Sequence, residues 1–181
     1  LIKALPDLTN EKNALIVIHL MGCHGSYADR YPEDWKHYSG KSDVIDKYDN
    51  AVRYNDYVLQ QIYEKLKENP RFKGFIYFSD HGEDVEHNYG HEASKYTATM
   101  SHIPLFMAFS PDFQAERAQT VETLRSHENS YWTNDLLYDV MTDILGIQGV
   151  PGTDLNWNLA SSQYSMTKDT LRTLHGKQAL Q

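Results

Sequence analysis

Three short apolar runs and one helical pattern organise the first two thirds of this 181-residue chain. The runs cover 14–20, 74–79 and 103–109, and each is typical of a strand. The first is typical of a strand buried on both faces, and Pro104 in the third is expected at the strand start or at a sheet edge. Between the first two runs, apolar residues recur every three or four positions over 49–69, as in an amphipathic helix. A strand, a helix and a strand in this order predict parallel strands joined by a right-handed crossover.

Outside these segments, the hydrophobic pattern predicts a long loop, two further helices and a polar tail. Residues 21–45 lack a clear period and contain several aromatics, which is typical of a functional loop. Two further helices are predicted over 113–125 and 131–145, with Gly146 well placed just past the second. The tail over 149–181 is polar and weakly patterned. The chain is therefore predicted to be α/β, with a mostly parallel sheet flanked by helices.

Composition and charge limit the classes of partner that the chain can bind. The chain has 17 Lys and Arg against 25 Asp and Glu, a net charge of -8. This balance argues against nucleic acid as a partner, whose phosphates need a basic surface. No apolar run approaches the roughly 20 residues of a membrane helix. The one cysteine, Cys23, excludes an internal disulfide and fits a reducing compartment or an exported protein without bridges.

The candidate metal-binding residues directly follow the second apolar run. Asp80 and His81 follow it directly, and ligands bind at the carboxyl ends of strands in parallel sheets. A carboxylate beside an imidazole suits Zn²⁺ before Mg²⁺ or Ca²⁺. Gly82 would let the backbone turn tightly, and Glu83 is a candidate acceptor that orients His81. A strand-end Asp that caps a turn beside an unrelated His is the alternative for this pair alone.

Two further histidines favour the metal interpretation. His24 follows the first predicted strand, and His91 lies ten residues after His81 in a loop. If the first two strands are neighbours, these two histidines, Asp80 and His81 converge on one cleft. His19, inside the first run, is interpreted as a core histidine. The other histidines are interpreted as structural or solvated: His37, His87, His102, His127 and His175.

The arrangement of these motifs resembles the lipid A and heptose phosphoethanolamine transferases, a branch of the alkaline-phosphatase and sulfatase superfamily. The matching blocks occur in family order and spacing between about 14 and 145. They are His19-x-x-Gly-x-His24-Gly with Tyr27 and Arg30-Tyr31-Pro32, then Tyr48-Asp49-Asn50-Ala51 with Asp56-Tyr57-Val58, then Ser79-Asp80-His81-Gly82-Glu83 with Gly90-His91. The Asp-His-Gly block is shared across the superfamily, and the Arg-Tyr-Pro loop favours the narrower assignment.

The resemblance implies an alkaline-phosphatase-like sheet and a role for each matching residue. Asp80 and His81 would be ligands of Zn²⁺, with Mn²⁺ or another divalent metal as the alternative. His24 and His91 would hold the phosphoryl oxygens or protonate the leaving group, since histidine exchanges protons near neutral pH. Arg30 would join them in binding the substrate.

The resemblance also implies an activity and a location. Such enzymes move phosphoethanolamine from phosphatidylethanolamine to a lipopolysaccharide-type glycolipid through a covalent threonine, in a periplasmic domain anchored in the inner membrane. The family's threonine and a metal-binding glutamate precede the strand expected at 14–20, whereas Thr9 and Glu11 lie in a polar lead-in. The chain is therefore expected to be the C-terminal part of the catalytic domain, without the membrane helices. It would hold half a metal site and be inactive alone.

Two rival functions remain open. One is another branch of the superfamily, such as a sulfatase or a phosphoglycerol transferase of the lipoteichoic-acid type. The other is a non-catalytic sugar- or lipid-binding module, which would have no chemical reason to keep His24, Asp80, His81 and His91 together. A formylglycine motif or a threonine at a strand-to-helix junction in the whole protein would distinguish the enzymes.

Overall fold

A computed structural model describes residues 5–6, 13–173 and 176–180. The chain forms two compact units. The first contains the described residues up to Phe72 together with Glu83–Gly90, and the second contains Lys73–Gly82 and the described residues from His91 onward. The expectations for Thr9, Glu11 and His175 concern positions that lie outside the described residues.

The first unit is built on one long helix, α1, over Asp43–Lys67. Ser42 caps it, since its hydroxyl accepts a hydrogen bond from the Ile45 amide at 3.3 Å and so satisfies an amide that the helix leaves unpaired. The helix predicted over 49–69 is confirmed. It begins earlier than the apolar pattern indicates because its first turn is polar and is specified by the cap.

A buried asparagine fastens the preceding loop to α1. Asn50 is 2% exposed, and its side-chain oxygen accepts hydrogen bonds from the His37 and Tyr38 amides at 2.7 and 2.9 Å. Its side-chain nitrogen donates to the Tyr38 carbonyl at 3.0 Å. The loop has little regular structure, as predicted, apart from the short 3-10 helices Tyr27–Arg30 and Glu33–Trp35.

The strand predicted over 14–20 is wrong for this structure. These residues carry no regular secondary structure, and Leu15 and Val17 are 61% and 84% exposed. His19 is exposed too, so its interpretation as a core histidine is also wrong. A strand persists only when a neighbour pairs with its backbone groups, and no described strand pairs with this segment.

The second unit contains the other two predicted strands, β1 over Gly74–Phe78 and β2 over Leu105–Phe109. They pair antiparallel, with Gly74 opposite Phe109 and Phe78 opposite Leu105. A second antiparallel pair joins β3, Arg172–Thr173, to β4, Gln178–Ala179. The α/β class holds in part, whereas the predicted parallel sheet is not confirmed among the described residues.

Three helices complete the second unit. The helix predicted over 113–125 is observed as two, α2 over Pro111–Glu116 and α3 over Ala118–Ser126, because Arg117 leaves the helical region with φ -123°. The helix predicted over 131–145 is shorter: α4 covers Leu137–Ile144 and follows the 3-10 turn Asn134–Leu136. Gly146 ends α4 as expected, with φ +67°.

The core of the second unit is formed by residues that lie far apart along the chain. It contains Phe113, Val121, Val140, Ile144, Leu159 and Ala160. The last two belong to the tail, which the sequence pattern describes only as polar. Within the described part of the chain, no helix combines the length and the apolar character needed to cross a bilayer.

Candidate metal and phosphate site

The end of β1 presents the predicted metal ligands on a tight turn. The Ser79 hydroxyl donates a hydrogen bond to the His81 carbonyl at 2.7 Å. The Asp80 carboxylate accepts one from the His81 amide at 3.1 Å. The Asp80 side chain is 80% exposed and the His81 side chain 34%. The carboxylate is therefore accessible, and the turn fixes the chain on both sides of it.

The contacts of the His81 ring identify its ligand nitrogen. Nδ1 lies 3.0 Å from the Gly82 carbonyl oxygen. A carbonyl only accepts hydrogen bonds, so Nδ1 is the donor here, and in a neutral ring Nε2 is then the nitrogen that can bind a metal. A histidine whose other nitrogen donates to a backbone carbonyl is a common arrangement for a metal ligand.

The spacing of these two side chains suits a zinc ion. His81 Nε2 lies 3.8 Å from Asp80 Oδ2. Two ligands of a tetrahedral zinc ion, each about 2.0–2.2 Å from it, lie roughly 3.3–3.6 Å apart. The pair therefore needs only a small adjustment to share one ion. Nitrogen and oxygen donors also match the preference of zinc.

His91 lies against His81 in the same unit. The two ring centroids are 4.2 Å apart, with the planes inclined by 31°. With Asp80, both histidines line a cleft of about 1300 Å³ within the second unit, whose other lining residues include Tyr96, Phe106 and Trp132. His91 thus lies beside the candidate ligand His81, although the two are ten residues apart along the chain.

Gly82 is required by a close approach rather than by an unusual backbone angle. A Cβ atom built at this position would lie 2.2 Å from the Thr99 carbonyl oxygen and 3.1 Å from that of His102. The Gly82 amide donates to the Met100 carbonyl at 2.8 Å. The segment that follows His81 is therefore fixed against 99–102, and only glycine fits there.

One residue near the site was missed by the sequence analysis. The Asn134 side-chain nitrogen donates to the carbonyls of Ser79 and Asp80, at 3.0 and 3.3 Å. The pattern places this residue inside a predicted helix, and its 54-residue separation from Asp80 gives no signal of a contact. The geometry alone reveals it.

The remaining candidates belong to the first unit. His24 is exposed, with Nδ1 2.8 Å from the Gly25 carbonyl oxygen. Arg30 donates to the Ser26 carbonyl at 3.4 Å. The structure thus brings Asp80, His81 and His91 together within one unit, and the roles of His24 and Arg30 stay predictions.

Glu83 has a specific partner in the first unit. Its carboxylate accepts a hydrogen bond from the Tyr27 hydroxyl at 2.8 Å. Burial, together with this carboxylate, raises the pKa of Tyr27 well above its usual range. The Tyr27 ring packs edge-on against Tyr48 of α1, with centroids 5.1 Å apart. Tyr27 therefore stays protonated and holds Glu83, whose predicted effect on His81 stays a prediction.

His127 also lines the cleft of the second unit, and contacts to the tail hold it in place. Its Nδ1 lies 2.8 Å from the Leu159 carbonyl oxygen, and its ring packs beside Tyr164 at 5.4 Å. These contacts fasten the tail to the end of α3. The structural interpretation of His127 agrees with these contacts and stays a prediction.

Comparison with known proteins gives a family match and several relatives. The sulfatase family model matches residues 1–142. The chain is 28% identical to the phosphoethanolamine transferase EptA of Salmonella typhimurium over 75% of the chain and 28% of that protein. It is 29% identical to the phosphoethanolamine transferase EptC of Escherichia coli K12 over 92% of the chain and 31% of that protein.

A third relative and the solved structures complete the comparison. The putative transferase YhbX of Escherichia coli K12 is 35% identical over 60% of the chain and 20% of its own length. The chain therefore spans less than a third of the length of these three curated relatives. No solved structure gives a significant match.

Proposed function

We propose that this chain, which belongs to the sulfatase family, forms part of a metal-dependent phosphoethanolamine transferase. The observation that carries the proposal is the group formed by Asp80, His81 and His91 at the end of β1. The His81 and His91 rings are 4.2 Å apart, and Asp80 Oδ2 lies 3.8 Å from His81 Nε2. The similarity to the phosphoethanolamine transferases EptA and EptC supports the substrate class.

Asp80 and His81 are the proposed metal ligands in this chain, with Zn²⁺ preferred. A bound zinc ion supplies positive charge that stabilises phosphoryl oxygens and favours the ionised form of a nucleophile. Asp80 presents an exposed carboxylate, and His81 presents Nε2 because Nδ1 is bonded to a backbone carbonyl. Glu83 is proposed to orient His81, and Tyr27 holds Glu83 by its hydroxyl.

His24, His91 and Arg30 are proposed to act on the phosphoryl group. An imidazolium or guanidinium donates hydrogen bonds to phosphate oxygens. In the first step a threonine oxygen would bond to phosphorus as the bond from phosphorus to the diacylglycerol oxygen breaks. That leaving oxygen would take a proton, for which His91 and His24 are the proposed donors. In the second step an acceptor oxygen on an envelope glycolipid would displace the threonine.

We further propose that the chain belongs to a longer protein. We place the threonine and the other metal ligands outside this chain, so that the chain alone is inactive. The donor is proposed to be phosphatidylethanolamine and the acceptor a lipid A or core sugar. The catalytic part would face the periplasm from the inner membrane.

A broader candidate is another hydrolase or phosphoglycerol transferase of the superfamily. The family match supports this candidate as well, because it is a match to the sulfatase family in general. Incubating the whole protein with labelled phosphatidylethanolamine and a lipopolysaccharide acceptor, and in parallel with an aryl sulfate and with phosphatidylglycerol, separates these functions. Label transfer from phosphatidylethanolamine alone is expected. Turnover of only the sulfate or the phosphatidylglycerol would overturn the narrower proposal.

The metal part of the proposal is testable on the purified chain. Competition with a chromophoric chelator should reveal weak zinc binding that Asp80→Ala abolishes. Asp169→Ala is the matched control, because this exposed acid lies far along the sequence in the same unit. Undiminished binding in Asp80→Ala would contradict the ligand assignment. Tight stoichiometric zinc binding by the unaltered chain would contradict the proposal that this chain holds only half of the metal site.

A further inference from the structure

We propose that Asn134 is a positioning residue for the metal ligand Asp80. The proposal rests on the proposed function, in which Asp80 and His81 hold the metal. It adds a residue on a different element, the 3-10 turn Asn134–Leu136 that leads into α4. The role is indirect: Asn134 contacts the backbone that carries the ligand.

One side-chain nitrogen makes both contacts. Asn134 Nδ2 lies 3.0 Å from the Ser79 carbonyl oxygen and 3.3 Å from the Asp80 carbonyl oxygen. The two acceptors are consecutive, so together they restrain the peptide group between these residues. The Ser79 amide donates a longer backbone hydrogen bond, 3.4 Å, to the carbonyl of Pro104, which directly precedes β2. Asn134 therefore supplies the shorter restraint.

The orientation of the amide is determined by its surroundings. If the side chain were flipped, Oδ1 would face two carbonyl oxygens, which donate no hydrogen. In the observed orientation Oδ1 is buried and has no hydrogen-bond partner among the described residues. A buried acceptor without a partner opposes folding. The side chain therefore combines two hydrogen bonds to the backbone of Ser79 and Asp80 with one unpaired acceptor.

Asn134 lies next to the buried core of the second unit. Leu136, two residues after Asn134, is 7% exposed, and Val140 in α4 is fully buried in the core of this unit. The Asp80 side chain, in contrast, is 80% exposed and is not held by packing. Asn134 thus links the backbone next to an exposed carboxylate to the buried region around α4. Metal ligands depend on such supporting hydrogen bonds for their orientation.

The first test compares zinc affinity with thermal stability. Asn134→Ala is expected to weaken zinc binding by about 10–100-fold while leaving the Tm close to that of the unaltered protein, since it removes the unpaired acceptor as well as the donor. Asn134→Asp should weaken zinc binding further, because a carboxylate would face both carbonyls. Asn156→Ala is the matched control, since this exposed asparagine contacts Asp154 in the same unit.

The second test needs no metal. Hydrogen exchange and ¹⁵N relaxation of the Asp80 and His81 amides, measured in metal-free protein, should show faster local motion in Asn134→Ala than in Asn156→Ala. If the unaltered protein bound no zinc, the proposed function would fail, and this measurement would still decide the role of Asn134. Unchanged local motion would overturn the proposal. So would a general loss of protection across the unit together with a large fall in Tm, which would indicate a purely structural role.

Discussion

Gly82 shows how strongly a single residue constrains the metal corner. The sequence suggests a tight turn there, and the structure gives a different reason for glycine. The Thr99 carbonyl oxygen occupies the space that a side chain would need. A backbone atom cannot rotate away as a side chain can, so the whole segment 99–102 would have to move.

Gly82→Ala is expected to destabilise the protein by about 1–3 kcal/mol, because overpacking a filled site forces the backbone to shift. Urea unfolding measures the change. Gly74→Ala is the matched comparison, since its nearest neighbour at 2.8 Å is the Phe109 ring, a side chain that can move. A larger loss in Gly74→Ala than in Gly82→Ala would contradict the argument.

Cys23 offers a prediction about pH. Burial, with the nearby Asp56 and Glu83 carboxylates, raises the pKa of its thiol from 9.0 to about 11. The folded state therefore favours the neutral thiol, and this contribution to stability is complete below about pH 9 and is lost as the pH rises through 11. Since only the thiolate reacts with iodoacetamide, half-maximal alkylation should fall near pH 11 in folded protein and near pH 9 in urea.

The carboxylate contribution to the Cys23 shift is separable from burial. Asp56→Asn removes the larger of the two charge effects and should move the alkylation midpoint to lower pH, with the fold retained. Equal midpoints for folded and unfolded protein would contradict the assignment of Cys23 to a buried, acidic environment.

At the scale of secondary-structure elements, the sequence pattern predicts an element correctly when interactions within that element determine its structure. Helix α1 carries its own cap at Ser42 and its own buried face, including Ala51 and Ile62. The sequence therefore predicts it well. The segment 14–20 has an equally clear pattern but no partner strand among the described residues, and it carries no regular secondary structure.

The loop over 84–90 is an element that no periodicity indicates. Asp84 is 2% exposed, and its amide donates to the Gly90 carbonyl at 2.7 Å. Its carboxylate accepts hydrogen bonds from the backbone amide and Nδ1 of His87, at 2.9 and 3.0 Å. One buried acid thus closes the loop through its backbone and stabilises it through its side chain.

Asp84→Ala should loosen this loop, because the two His87 donors lose their acceptor. Faster hydrogen exchange of the His87 amide is the expected result. Asp84→Asn keeps one acceptor oxygen and should have a smaller effect. Equal exchange rates in both variants and in the unaltered protein would show that the side chain does not stabilise the loop.

At the scale of the whole molecule, distant segments complete the second unit. Leu159, from the polar tail, is 6% exposed and joins the core with Phe113 and Val140. His127 at the end of α3 bonds to the carbonyl of the same residue. The tail is therefore part of the domain core rather than an appendage.

Leu159→Ala should destabilise the second unit by about 2–5 kcal/mol through the lost contacts and the cavity left behind. Thermal or urea unfolding measures it. Leu155→Ala is the matched control, since Leu155 in the same tail is 52% exposed and should change stability by less than about 0.5 kcal/mol. Equal effects of the two variants would contradict a core role for the tail.

Sequence patterns alone predict the helix α1, the strands β1 and β2 and the Gly146 helix end, and they nominate Asp80 and His81 as metal ligands and His91 as a phosphoryl-binding residue. Each depends on periodicity, on a cap or on a short motif, which are local properties of the chain. Only the tertiary structure decided the antiparallel pairing of β1 with β2, the packing of Leu159, and the contact of Asn134 with Asp80. These depend on which segments meet after the chain folds, and residues tens of positions apart leave no local pattern that records their contact.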